Sequence, residues 1–146
     1  MRNTLEINID KITNKNQLEA AWKIRKQVFV IEQNCPEEIE WEFEDESTHF
    51  LASIINTPVA TARWRTTPNG IKLERFAVLK EYRKYGIGSK LLKAILEDIM
   101  PTKNKIYLHA QTHAAEFYAK HGFAKVGELF MEADIEHIKM EFVNSF

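Results

Sequence analysis

The sequence predicts a three-layer α/β domain in which a mixed, mostly antiparallel central sheet is flanked by helices. Two patterns carry that expectation. Strand-like stretches joined by tight turns fill the centre of the chain, which makes an antiparallel meander, and a strand, a glycine turn, an amphipathic helix and another strand then follow in order, which requires one parallel pair. With 146 residues, 45% hydrophobic and 11% aromatic, the chain is expected to form one domain, residues 1–146, around its own core.

Leu5, Ile7 and Ile9 alternate with Glu6, Asn8 and Asp10, the period of a strand with one buried face. Asn14 can cap a helix, and Leu18, Ala21, Trp22, Arg25, Val28 and Phe29 then recur at three- and four-residue steps, so a helix should run to about Val30 with Arg25 as the polar exception on its apolar stripe. Residues 49–55 and 59–65 read as a hairpin about Asn56-Thr57-Pro58. Thr67-Pro68-Asn69-Gly70 forms the next turn, and residues 71–78 supply the third strand of the meander. A helix begins near Gly86, carries Ile87, Leu91, Ile95 and Ile99 along one face, and stops at Pro101. Residues 105–110 form a strand and 114–121 a short helix closed by Gly122, whose lack of a Cβ suits a left-handed cap. Residues 125–131 and 137–142 complete the sheet as a final pair.

Charge narrows the function. Twenty bases against 21 acids leave a net charge of −1, so nothing draws the whole molecule to nucleic acid or an anionic membrane, and a charged ligand has to meet a local patch. The single Cys35 allows no internal disulfide, Met1 to Glu6 lack the apolar stretch of a secretory signal, and no apolar run approaches membrane-spanning length; a soluble cytoplasmic protein is expected, without nucleic-acid or membrane partners. Between Glu37 and Glu46 stand seven carboxylates and no base, a segment expected to be exposed and able to attract a cationic amine.

The patch for an anion lies at Arg83-Lys84-Tyr85-Gly86-Ile87-Gly88-Ser89. The first amides of a helix lack carbonyl partners and carry the positive end of its dipole, and glycines let a phosphate approach the backbone. From Lys80 to Lys93, five bases against Glu81 concentrate a local charge of +4 there. Leu91 stands where a dinucleotide fingerprint needs its third glycine, and no stretch has the spacing of a nucleotide P-loop, so nicotinamide and kinase chemistry are disfavoured.

Arg83-Lys84-Tyr85-Gly86-Ile87-Gly88 resembles the Gln/Arg-x-x-Gly-x-Gly/Ala hallmark of the GNAT family of N-acetyltransferases. Leu108 to Gln111 and Phe117-Tyr118-Ala119-Lys120-His121-Gly122-Phe123 resemble the second half of that pattern. Over nearly the whole chain the resemblance extends to the ElaA-like and YjcF-like subgroup, through Val28-Phe29-Val30-x-Glu32-Gln33, Arg63-Trp64-Arg65, Leu73 to Val78, Ala110-Gln111-Thr112 and Ile135-x-His137-x-x-Met140.

The resemblance implies a GNAT-type fold and transfer of an acetyl group from acetyl-CoA, used as co-substrate, to a primary amine on a small molecule or peptide. Direct attack in a ternary complex is expected, ahead of a covalent route through Cys35. It assigns the pyrophosphate to backbone amides of Arg83, Lys84, Tyr85, Gly86, Ile87, Gly88 and Ser89, and the pantetheine arm to the main chain of Phe76, Ala77 and Val78. Gln111, where the family usually has Asn, and Phe117 complete the cofactor side. Tyr118 corresponds to the family's general acid; its alternative is an aromatic packed between Phe117 and Phe123 with its hydroxyl on water. For the base the resemblance leaves Glu74, Glu32 and a water chain open: Lys72 stands where some members carry a glutamate, and Glu74 lies two residues on along the same strand face. The five histidines include His109-x-x-x-His113, but these straddle a strand end and a loop, so no metal is expected. A non-catalytic acyl-CoA sensor or interaction module on the same fold is the rival reading, and self-association stays open.

Overall fold

The computed structural model describes residues 6–34 and 43–143. Strand β1 (Ile7–Lys11) leads into helix α1 (Lys15–Arg25), followed by β2 (Ser47–Ile54), β3 (Thr57–Thr67) and β4 (Gly70–Val78). Helix α2 (Ile87–Ile99), β5 (Ile106–Gln111), the short α3 (Ala115–Ala119), β6 (Phe123–Glu132) and β7 (Ile135–Phe142) complete the order. The seven strands form one sheet in the order β1-β2-β3-β4-β5-β7-β6, and β4–β5 is its parallel pair. The mixed, mostly antiparallel sheet expected from the sequence is therefore present.

Local chemistry explains the element ends. Asn14 Oδ1 accepts from the Gln17 amide at 2.8 Å while Gln17 Oε1 accepts from the Thr13 amide at 2.9 Å, a reciprocal cap that starts α1. Beyond Arg25 the chain does not stay α-helical to Val30. Lys26–Glu32 widen into a π-helix, with the Gln33 amide on the Val28 carbonyl at 3.2 Å. The β2–β3 turn also sits earlier than expected: Ile55 and Asn56 both have positive φ, and Thr57 and Pro58 already belong to β3. At Gly70 a Cβ would lie 2.5 Å from the Lys105 carbonyl oxygen, which accepts from the Ile71 amide at 2.7 Å. Only glycine permits that approach.

Two apolar layers enclose the sheet. On one face Ile87, Leu91, Ile95 and Ile99 of α2 are all buried against Ile71, Leu73, Leu108 and Met140, each such side chain worth about 1.5–3 kcal/mol relative to exposure. On the other, Ala21, Ile24 and Val28 pack on Leu51 and Ala77. Arg25 is buried too, because Glu44 Oε1 lies 2.8 Å from its Nη2. Glu44 also accepts from Arg63 Nη1 at 2.8 Å and from the Trp22 indole. This corrects the expectation of a wholly exposed acidic segment: Glu44 is an interior counter-ion, since two guanidiniums in a low-dielectric layer need a carboxylate. Cys35 and the acidic residues 37–42 lie outside the described residues.

Candidate active site

Strands β4 and β5 pair only at Ile71–Ile106, Lys72–Tyr107 and Leu73–Leu108, and then separate. A bulge opens β4 there: Thr61 faces Ala77 and Arg63 faces Glu74, so one extra residue is accommodated on β4, and Arg75 takes φ +60°. The wedge between the strands is a cleft of about 610 Å³. Its peptide edge can be read from two bonds. The Leu79 amide donates to Val59 of β3 at 2.9 Å, whereas the Val78 carbonyl accepts from Arg83 Nε at 2.9 Å. Because a strand residue directs its N–H and C=O to the same side, Val78 offers its amide to the wedge.

Below that edge α2 begins at Gly86, whose φ of +73° is left-handed and which provides no side-chain cap. The first amides of α2 are thus turned to the cleft without an internal acceptor. Gly86, Gly88 and Ser89 line it, and a Cβ on Gly88 would meet the Phe117 ring at 3.4 Å. Lys84 and Tyr85 are exposed and Ile87 is a core residue, and none of the three is among the residues that line the cleft. Ala77 likewise points its side chain into the α1 layer. Ser89 Oγ lies 3.1 Å from His121 Nε2; burial, with Lys93 and Lys120 nearby, lowers the pKa of that ring.

Tyr118 lines the cleft between Phe76, Phe117 and Phe123, all edge-on with centroids 5.1–6.0 Å away. Its burial pushes the phenol well above its ordinary value, so it keeps its proton at neutral pH.

The carboxylates expected as candidate bases are both committed to cations. Glu74 lines the cleft and accepts from Arg63 Nη2 at 2.7 Å and Arg65 Nε at 2.8 Å, with Lys72 Nζ at 3.3 Å. Burial alone would raise its pKa, but the charges of Arg63 and Lys72 and the Arg65 bond outweigh burial and hold it at about 2. Glu32 makes a two-toothed pair with Arg83, at 2.6 and 2.7 Å, and that bond lowers its pKa. It lines a separate cavity beside α1. The local +4 counted along the chain is therefore partly offset by a residue 51 positions away.

Gln111 is occupied as well, exchanging amide bonds with Gln33 at 3.0 and 3.4 Å, which ties the π-helical end of α1 to β5 over the cleft. His137, Arg75, His113 and Gln33 also line this space; the subgroup resemblance includes His137, Arg75 and Gln33, with His137 open between the acceptor site and strand packing. The signal for His137 was its place in the pattern Ile135-x-His137-x-x-Met140. Among the described residues no group of three or more His, Cys, Asp or Glu is arranged to hold a metal, and no helix is long and apolar enough to cross a membrane.

Residues 11–143 match the acetyltransferase (GNAT) domain family. The uncharacterized N-acetyltransferase YjcF of Bacillus subtilis is 40% identical over 131 residues, covering 87% of this chain and 93% of YjcF. The crystal structure of Escherichia coli ElaA superposes with a TM-score of 0.80 at 27% identity, covering 94% of this chain and 99% of that one. An acyl-CoA N-acyltransferase from Pseudomonas aeruginosa gives the same TM-score and coverage at 26% identity.

Proposed function

Because the chain belongs to the GNAT acetyltransferase family, whose members transfer acyl groups, we propose that it moves an acetyl group from acetyl-CoA to a primary amine by direct attack in a ternary complex. The observation that carries this reading is the wedge between β4 and β5, which opens onto the uncapped start of α2. A diphosphate fits that start, since its amides are free and Gly86 and Gly88 keep side chains out of the way. An extended amide-bearing arm fits the free edge of β4.

Bound acetyl-CoA supplies the activated acyl group and a thiolate leaving group. The amides of Ile87, Gly88 and Ser89 hold the pyrophosphate, and the main chain of Phe76 to Val78 aligns the arm. The Val78 amide points to where negative charge grows on the thioester oxygen. The Tyr118 hydroxyl gives its proton to the departing sulfur, for which a raised pKa keeps it loaded. Glu74 holds Arg63, Arg65 and Lys72 at the cleft wall, and Glu32 holds Arg83 in place.

The test is thermal melting with acetyl-CoA, NADH and ATP in turn. Ligand at about 100 times its dissociation constant adds about 2.7 kcal/mol to the folded state, and only acetyl-CoA should do so. Thiol release is then followed with and without spermidine, an aminoglycoside and a lysine peptide. Release that depends on the amine supports transfer; binding of the thioester with no release on any acceptor supports the sensor reading.

A further inference from the structure

We propose that His137 is the general base of this site, taking the acceptor's proton on Nε2, with Glu132 and His109 as positioning residues. The inference rests on the amine-transfer reading above and adds to it the group that neither Glu74 nor Glu32 supplies.

His137 lies on β7 directly opposite Gln111 of β5, is 6% exposed, and lines the cleft. Its Nδ1 is 2.7 Å from the Ile135 carbonyl oxygen. A carbonyl only accepts, so Nδ1 carries the hydrogen and the neutral ring keeps its lone pair on Nε2. Among the described residues Nε2 makes no hydrogen bond; the nearest carboxylate oxygen, Glu132 Oε2, is 3.8 Å away. At that distance the lone pair has no hydrogen-bond partner, and a carboxylate stands beside the ring. The other oxygen of Glu132 is held by His109 Nδ1 at 3.1 Å. Phe130 stacks on the His137 ring, 25° from parallel and 5.9 Å between centroids, and meets His109 edge-on at 5.0 Å. His137 thus lines the cleft with one ring nitrogen free of hydrogen bonds and a carboxylate beside it, an arrangement that filling a strand does not require.

The charged and titratable groups around His137 are Glu132 on β6, His109 on β5, Lys72, Glu74 and Arg75 on β4, and His113 in the turn before α3. The carboxylate next to it is Glu132, whose bond to His109 holds it below the usual carboxylate range. In the reaction the acceptor nitrogen bonds to the acetyl carbon as the C–S bond breaks. Before that bond forms, an acceptor that arrives as an ammonium gives one proton to His137 Nε2 and on to water; the second proton that nitrogen loses, after attack, goes to water, and the sulfur takes the Tyr118 proton, which water restores.

Nitrogen-15 NMR of histidine-labelled protein reads the proposal without turnover: the neutral His137 ring should show hydrogen on Nδ1, and hydrogen on Nε2 would overturn it. With benzylamine, charged at neutral pH, His137→Gln should lower kcat by about 10²- to 10⁴-fold, while acetyl-CoA affinity by calorimetry stays within about twofold. Benzhydrazide, uncharged at neutral pH, should lose much less. Added imidazole should restore part of the activity of His137→Gly. Unchanged kcat in His137→Gln, or lost acetyl-CoA binding, refutes the base. If the wild type binds acetyl-CoA and shows the Nδ1–H ring but releases no thiol with any amine, the transferase reading has failed and the tautomer inference stands alone.

Discussion

Replacing Glu74 with glutamine keeps the size of the side chain and removes the negative charge that three cations share. Arg63 is 1% exposed and its Nε and Nη2 both end on Glu74 Oε1, at 3.0 and 2.7 Å. The fall of the carboxyl from 4.5 to about 2 corresponds to about 3 kcal/mol of preference for the charged form in the fold. Breaking one side of a buried ion pair costs about 3–5 kcal/mol by mutation, and glutamine retains a hydrogen bond, so about 3 kcal/mol is the expected loss. Urea unfolding at pH 7, followed by tryptophan fluorescence, measures it as a lower midpoint at unchanged slope. The sign with pH follows from the depressed value. Stability from Glu74 is complete above its unfolded pKa near 4.5 and is lost as pH falls toward 2, so the gap between wild type and Glu74→Gln should close over that window. Turnover of the folded variant should fall by less than about tenfold, well short of the loss expected for a general base. An unchanged urea midpoint together with a large loss of turnover would refute the reasoning and make Glu74 the base.

Tyr118→Phe should lower kcat by about 10²-fold or more while leaving acetyl-CoA affinity unchanged by calorimetry, since the ring packing survives and only the proton is lost. Equal turnover would remove Tyr118 from the mechanism. Glu32→Gln releases Arg83 from its two-toothed pair, so KM for acetyl-CoA should change more than kcat; steady-state kinetics separates the two, and a loss confined to kcat would return Glu32 to the chemistry. Gly86→Ala forces a Cβ into a left-handed residue at a cost of about 1–2 kcal/mol, and should shrink the rise in melting temperature given by acetyl-CoA.

What depended on neighbours along the chain was legible in the residues. The stripe Ile87, Leu91, Ile95, Ile99 set the buried face of α2, Asn14 capped α1, and the strand-helix-strand order required the parallel pair between β4 and β5. The glycine turn marked the anion end of the cleft for the same reason, because helix amides and φ preferences are local properties. The limits of such reading show at the π-helical turn after Arg25, where the helix type changes and the apolar spacing gives no sign of it.

Partner choice was decided by the tertiary structure. Glu44 became the counter-ion of Arg25 and Arg63, Glu32 closed on Arg83, and Gln33 met Gln111 across 78 positions. A charge or amide at a given position specifies what it needs but not which distant group supplies it, and the energies that settle the matter appear only when water is excluded. The same holds for His137, whose open nitrogen exists because β7 places the ring against Ile135 and Glu132. Local pattern determined the elements and the family; the packing of strands separated by scores of residues decided which side chains are left free to act.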